Sequence, residues 1–129
     1  MSIFSSLFGN SENQNLPVSK VNWISLTNIL QLLEISERSF DKPVLIFKHS
    51  TRCSVSRMVL KQFESEFDVL DEVTPYLLDL LEYRTVSDEI AARFEVVHQS
   101  PQLLLIKDGK VVYTASHESI SIAGLHRNV

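Results

Sequence analysis

Pro-Val-Leu-Ile-Phe-Lys-His-Ser-Thr-Arg-Cys-Ser-Val-Ser-Arg-Met, residues 43–58, is the stretch that decides the predicted fold. Val44–Phe47 is a short apolar run after a proline, which is typical of a strand buried on both faces. We expect the polar residues 48–52 to form a turn and a helix to run from about Ser54 to Phe67. Cys53, the single cysteine of the protein, is therefore predicted to lie where a strand passes into a helix.

This position favours the reactive form of Cys53. The first N–H groups of a helix lack intrahelical partners, and the helix dipole favours negative charge beside them. Arg52 precedes the cysteine, and a nearby cation also favours the thiolate, which is the nucleophilic form. Ser56 stands where a Cys-X-X-Cys pair would have its second thiol. A hydroxyl cannot resolve a mixed disulfide, but we expect Ser56 to donate a hydrogen bond to the Cys53 thiolate. The positive charge of Arg52 is expected to stabilise the same thiolate.

Less specific interpretations of these residues stay open. Most free cysteines are small buried hydrophobic residues, and Ser56 is equally well explained as an ordinary polar residue of a first helical turn. His49 is a candidate base for Cys53 only if the two lie within hydrogen-bond reach. The four histidines show no metal-ligand spacing, so we expect no metal site.

Length and charge limit the function classes. The 129 residues predict one domain, with 1–17 as an N-terminal extension, either a tail or a short amphipathic helix, and 18–129 as the domain proper. The net charge of −4 comes without a basic block, which argues against nucleic-acid binding. No apolar run approaches the roughly 20 residues of a membrane span. One cysteine and no secretory signal pattern predict a cytoplasmic protein.

The rest of the chain alternates between strand and helix patterns. In order, we predict a strand at 20–26, a helix with its apolar face over 29–35 and a break at 36–42, the strand 44–47, the helix 54–67, a strand at 76–81, a helix at 86–94, a strand at 103–106, a returning strand at 111–113 and a helix at 119–126. A βαβ start implies parallel strands, and the Asp108-Gly109 pair implies an antiparallel hairpin. The result is an α/β fold with a central mixed sheet and helices on both faces.

Several local features can be checked individually. We expect Ser25 or Thr27 to cap the first helix, and Ser87 to cap the third. Met58 is assigned to the apolar side of the second helix. Pro101 should lie at the start of its strand because it lacks an N–H group, and base rates alone would make the Ser100–Pro101 bond trans.

The motif Phe47-Lys48-His49-Ser50-Thr51-Arg52-Cys53-Ser54-Val55-Ser56, with Ser100-Pro101-Gln102 downstream, resembles the YtxJ-like monothiol bacilliredoxins, which have the thioredoxin fold. The resemblance covers roughly residues 18–125. It implies that Cys53 attacks a protein–S–bacillithiol mixed disulfide, takes up the bacillithiol and is regenerated by another thiol. Bacillithiol is then a co-substrate, and no bound cofactor is expected.

The same resemblance assigns further residues. Ser100-Pro101 corresponds to the cis-proline loop, which pairs with the backbone of the bound partner, so that a cis bond is expected here. Ser54 and Gln99 border that groove and, with Arg52, are candidates to contact the carboxylates of the thiol. Members of the family usually have Cys-Pro at the catalytic cysteine, and Ser54 departs from that pattern. The implied partners are S-thiolated proteins and a low-molecular-weight thiol.

Two other functions remain as alternatives. One is a glutaredoxin-like oxidoreductase that uses glutathione or another small thiol. The other is a non-catalytic thioredoxin-fold binding module in which Cys53 is inert. A peroxiredoxin is disfavoured because its Pro-X-X-X-Thr/Ser-X-X-Cys motif would need proline at Ile46.

Overall fold

The computed structural model describes residues 21–69 and 71–129. The N-terminal extension 1–17 and its predicted helix lie outside these residues, as does the boundary at residue 18. The elements, in chain order, are β1 (Ile24–Ser25), α1 (Leu30–Arg38), β2 (Val44–His49), α2 (Ser54–Glu66), β3 (Thr74–Asp79), α3 (Arg84–Arg93), β4 (Gln102–Lys107), β5 (Lys110–Ser116), a 3-10 turn (His117–Ser119) and α4 (Ile122–His126). This order is the predicted one.

The five strands form one mixed sheet in the order β1-β3-β2-β4-β5. β1, β3 and β2 run parallel, whereas β4 is antiparallel to both β2 and β5. The hairpin between β4 and β5 turns at Asp108 and Gly109, which both have positive φ, 52° and 76°. This is the conformation that an Asp-Gly pair favours in two-residue hairpins. The predicted mixed sheet and hairpin are confirmed.

The central strand β2 separates two apolar clusters because its side chains alternate between the sheet faces. Leu45 and Phe47 pack with α2 and α4, and Val44 and Ile46 pack with α1 and α3. All six residues of β2 are buried, which is the reason for its apolar run. Burying one such side chain contributes about 1.5–3 kcal/mol. The prediction of helices on both faces is confirmed.

The strand β2 is longer than its apolar run, so the prediction that residues 48 and 49 belong to a turn was wrong. Backbone pairing continues through both residues: Lys48 lies opposite Leu78 of β3 and Gln102 of β4, and His49 lies opposite Asp79. Their side chains are buried. They are tolerated because each finds a hydrogen-bond partner on its own face of the sheet.

The predicted helix caps were also wrong. Ser87 does not cap α3, which begins three residues earlier; its side chain is fully buried inside the helix. At α1, neither Ser25 nor Thr27 is the cap: the N-cap position is Ile29, and the side chain of the preceding Asn28 accepts the Leu30 N–H. At α3 the burial of Ser87 excludes it as a cap, whereas at α1 neighbouring polar residues offer similar local capping energies, so the sequence could not choose among them.

Other boundaries moved by a few residues. α1 continues to Arg38, past the predicted break at residue 36, and Met58 is 61% exposed rather than packed on the core. β3 begins at Thr74 and therefore contains Pro75. The last helix is shorter than predicted and begins after Ser121, whose hydroxyl accepts the Gly124 N–H. Within the described residues, no helix is long and apolar enough to cross a membrane.

Candidate active site

Cys53 is the N-cap residue of α2. Its backbone is extended, with φ −97° and ψ 121°, and its carbonyl accepts the N–H of Arg57. The N–H groups of residues 54–56 have no hydrogen-bond partner among the described residues. The Cys53 side chain is half-buried and makes no cap hydrogen bond to these amides. A negative charge on the Cys53 sulfur would lie at the N-terminus of α2, where unpaired N–H groups and the positive end of the helix dipole favour it.

Ser56 lies beneath this helix start and is completely buried. Its Oγ accepts the backbone N–H of Ser50 at 3.0 Å and lies 2.7 Å from Nδ1 of His49. Burial lowers the pKa of His49, and the carboxylates of Asp79 and Glu64 oppose this shift only in part. We assign a neutral His49 ring whose Nδ1 accepts a hydrogen bond from the Ser56 hydroxyl. The hydroxyl then donates one hydrogen bond and accepts one.

The predicted hydrogen bond from the Ser56 hydroxyl to the Cys53 sulfur is not formed. In the described residues no hydrogen bond joins Ser56 to Cys53 or His49 to Cys53. The hydroxyl is engaged with His49 and the Ser50 amide because both are buried and must be satisfied. Any influence of Ser56 on the thiolate therefore acts through the shape of the turn.

That turn is held from two sides. The Ser56 hydroxyl connects its first residue, Ser50, to the first turn of α2. At the surface, Nη1 of Arg57 donates to the carbonyl of Thr51 at 2.9 Å. The N–H of Cys53 closes the turn on the Ser50 carbonyl at 3.2 Å. These contacts fix the backbone that presents the cysteine.

Ser56→Ala should lower the free energy of unfolding by about 1–2 kcal/mol, because it leaves the buried Ser50 N–H and His49 ring without a partner. Urea unfolding measures the change. Ser65→Ala is the matched control, since that hydroxyl is exposed on the same helix and bonds only the Gln62 carbonyl; it should change stability by less than about 0.5 kcal/mol. Equal losses in the two variants would contradict the bridging role.

The second part of the site is the loop that enters β4. The Ser100–Pro101 peptide bond is cis, as the family resemblance implied. Pro101 is buried and directly precedes β4, and its carbonyl accepts the His117 N–H at 3.0 Å. Because Gln102 lies opposite Lys48, the antiparallel register places Pro101 next to His49, the last residue of β2. Cys53 follows His49 by four residues. The loop and the cysteine turn thus leave the same edge of the sheet.

The other predicted site residues border this edge. Arg52 and Ser54 are exposed on either side of the cysteine, and neither side chain makes a hydrogen bond or ion pair within residues 21–69 and 71–129. Gln99 and Ser100 are half-buried in the loop. The backbone N–H of Gln99 donates to Oε1 of Gln102 at 3.3 Å. The roles proposed for these side chains stay predictions.

A polar cluster that the sequence did not predict lies on the opposite face of the sheet. Lys48 has no exposed surface, and its Nζ lies 3.1 Å from Nδ1 of His98. The buried hydroxyl of Ser87 is 3.4 Å from the same nitrogen. Burial lowers the pKa of Lys48 to about 8, which Asp88 partly opposes. Strand alternation could have separated Lys48 from His49, but it could not show which residue covers the lysine.

No group of three His, Cys, Asp or Glu side chains that could hold a metal ion occurs in the part of the chain that the structure describes. This edge presents the Cys53 thiol, the free amides at the start of α2 and the half-buried polar side chains of Gln99 and Ser100.

Comparison with known proteins agrees with this geometry. The family model of the monothiol bacilliredoxin BrxC matches residues 24–125. A solved structure described as a candidate oxidoreductase with a thioredoxin fold is 29% identical, with a TM-score of 0.71, over 81% of this chain and 91% of its own. Thioredoxin from Malassezia sympodialis is 19% identical, with a TM-score of 0.68, over 88% of this chain and 96% of its own.

Mitochondrial thioredoxin 3 from Saccharomyces cerevisiae is 17% identical, with a TM-score of 0.65, over 82% of this chain and 92% of its own. At these low identities the two thioredoxins establish the fold alone. The family match spans most of the chain and includes the cysteine turn and the proline loop. The chain has the thioredoxin fold and belongs to the monothiol bacilliredoxin BrxC family.

Proposed function

We propose that this protein removes bacillithiol from S-bacillithiolated proteins, with Cys53 as the nucleophile. The Cys53 thiolate attacks the bacillithiol sulfur of the mixed disulfide. A new Cys53–bacillithiol disulfide forms as the old one breaks, and the target protein leaves as a thiolate. A second thiol, from bacillithiol or a reductase, then attacks the adduct and restores Cys53. The free amides at the start of α2, beside the half-buried Cys53, are the observation that carries this proposal.

The absence of a second cysteine determines the course of the reaction. Ser56 stands in the position of a resolving thiol, but a hydroxyl cannot displace the adduct. Moreover, its oxygen is engaged with His49 and Ser50. The Cys53–bacillithiol adduct should therefore persist until an external thiol arrives. Bacillithiol acts as a co-substrate in this scheme, with no bound cofactor, and a reducing cytoplasm is the compartment that suits it.

Binding of the substrate would use the exposed edge. The carboxylates of the small thiol would meet Arg52, whose guanidinium has no other partner among the described residues. Ser54 and Gln99 are placed to add polar contacts, and the backbone at Ser100-Pro101 would pair with the target chain. A half-buried Cys53 beside free amides also argues against the inert binding module.

The proposal predicts a stable adduct. Incubation of the protein with a bacillithiolated target should add one bacillithiol to Cys53, seen by mass spectrometry, and free one thiol on the target. A matched target that bears glutathione distinguishes the glutaredoxin-like alternative. Faster transfer from the glutathione substrate would favour that alternative. If neither adduct moves, while dithiothreitol releases both, Cys53 does not perform this exchange.

A further inference from the structure

Two buried side chains next to the proline loop, Lys48 and Gln102, point to a function for Lys48. β2 turns Lys48 toward the sheet face that α1 and α3 cover, since its neighbours in the alternation, Val44 and Ile46, pack there. Lys48 is fully buried, and the acceptor of its ammonium group is Nδ1 of His98, at 3.1 Å. His98 itself is exposed and belongs to the loop that leads into Pro101. Lys48 thus connects the buried strand β2 to the loop that precedes Pro101.

Gln102 fastens the backbone of the same loop. It lies opposite Lys48 in the antiparallel pair, and its side chain is also buried. Its Nε2 donates to the carbonyl of Val97 at 3.0 Å, and its Oε1 accepts the Gln99 N–H at 3.3 Å. Residues 97 and 99 are therefore held through their backbone and residue 98 through its side chain.

We propose that Lys48 is a positioning residue for substrate binding: through His98 it holds the loop 97–101 in the shape that receives the target protein. The inference rests on the proposed function, because it assumes that this loop pairs with the target chain. Lys48 makes no hydrogen bond or ion pair with Cys53 among the described residues, so we expect its influence to fall on recognition of the protein substrate and the reactivity of the thiol to stay unchanged.

Stability alone does not explain a lysine at this position. A buried ammonium group loses its hydration, and apolar side chains of similar volume often replace buried charges without loss of stability. Lys48 lies next to an apolar cluster that a methionine would extend. Consistent with a cost of burial, the pKa of Lys48 falls to about 8. Besides the attraction of Asp88 of α3, the interaction that compensates for the burial of Lys48 is its hydrogen bond to His98 of the loop.

The hydrogen bond between Lys48 and His98, which we call the tether of the loop, should depend on pH. Lys48 faces Asp88 of α3 and the His98 ring, and His98 faces Lys48, Arg84 and Asp88. Burial first, then Lys48 and Arg84, lower the pKa of His98, and Asp88 opposes them. At neutral pH a charged Lys48 therefore donates to a neutral ring. Protonation of His98 at lower pH removes the acceptor and adds repulsion, and above about 8 the lysine loses its charge.

The first test compares Lys48→Met with Lys110→Met, which removes an exposed lysine at the far end of the sheet. For a bacillithiolated protein we expect Lys48→Met to raise KM about tenfold, the loss of one hydrogen bond to a charged group. In the same variant, KM for a small mixed disulfide of bacillithiol and mercaptoethanol should stay unchanged. The rate at which an alkylating reagent modifies Cys53 should also stay unchanged. Lys110→Met should match the wild type throughout. Equal effects of Lys48→Met on both substrates would overturn the proposal.

His98 variants test the same tether at an exposed residue, where loss of folding is not a concern. His98→Ala should raise KM for the protein substrate as Lys48→Met does. In the wild type, kcat/KM should fall at acidic pH as His98 is protonated, and Lys48→Met should lack this fall. In His98→Asn the amide oxygen replaces the ring acceptor and does not titrate, so the acidic fall should disappear there too. A wild-type KM in His98→Ala would contradict the tether.

The pair can also be examined without turnover. In the wild type the His98 pKa, followed by NMR, should lie below 6.5, and Lys48→Met should raise it because a neighbouring cation is lost. Amide exchange of residues 97–100 should become faster in the same variant. An unchanged His98 titration would refute the Lys48–His98 pair whatever the activity. Inactive wild-type protein with a shifted titration would instead refute the proposed function.

Discussion

Replacement of Cys53 by serine is expected to slow bacillithiol transfer by at least about 1,000-fold, the scale on which loss of a nucleophile acts. A hydroxyl does not form the disulfide on which the exchange depends, and the chain has no other cysteine to take its place. The measurement is the rate of thiol release from a bacillithiolated target, with adduct mass as a second readout.

The fold should survive this change. Serine is a preferred N-cap residue, and at position 53 its oxygen can accept one of the free amides of the first turn of α2. We therefore expect Cys53→Ser to be at least as stable as the wild type in urea, so that the loss is one of chemistry. Ser65→Ala, at an exposed position of the same helix away from the cysteine turn, is the matched control. Substantial transfer by a stable Cys53→Ser protein would refute the assignment of the nucleophile.

Gly124→Ala should give the largest loss of stability, about 2–3 kcal/mol, because α4 has no room for a methyl group. A Cβ at this position would overlap the Tyr113 hydroxyl and lie 3.1 Å from its Cζ and 3.3 Å from the Ser121 Oγ. Tyr113 belongs to β5 and packs against the core, so its ring cannot easily withdraw. The steric cost exceeds the gain of roughly 1 kcal/mol that alanine has over glycine inside a helix.

A second substitution identifies the cause. Tyr113→Phe removes the overlapping oxygen, which makes no hydrogen bond among the described residues. In the Gly124→Ala background it should restore about 1 kcal/mol or more, and alone it should have little effect. Urea unfolding of the four proteins completes the cycle. Additive losses in the double variant would show that Tyr113 is not the obstacle.

Local patterns were sufficient for the framework of this protein. The apolar run 44–47 predicts a central strand because only a strand covered on both faces needs such a run. The Asp108-Gly109 pair predicts the hairpin because both residues tolerate positive φ. The position of Cys53 at the beginning of a helix follows from the same short-range periodicity, and the motif around it was sufficient to recognise the family that the comparison then established.

The tertiary structure alone decided the fate of the buried polar residues. Ser87 resembles a cap by its local sequence, yet it lies inside α3, with its hydroxyl near His98. Lys48 and His49 are adjacent in sequence, but strand alternation sends them to opposite faces, where their partners are His98 and Ser56. A buried polar group is stable only where a hydrogen-bond partner meets it. The partner of Lys48 lies 50 residues away, so the pairing depends on the packing of the whole sheet and has no signal in the sequence around the lysine.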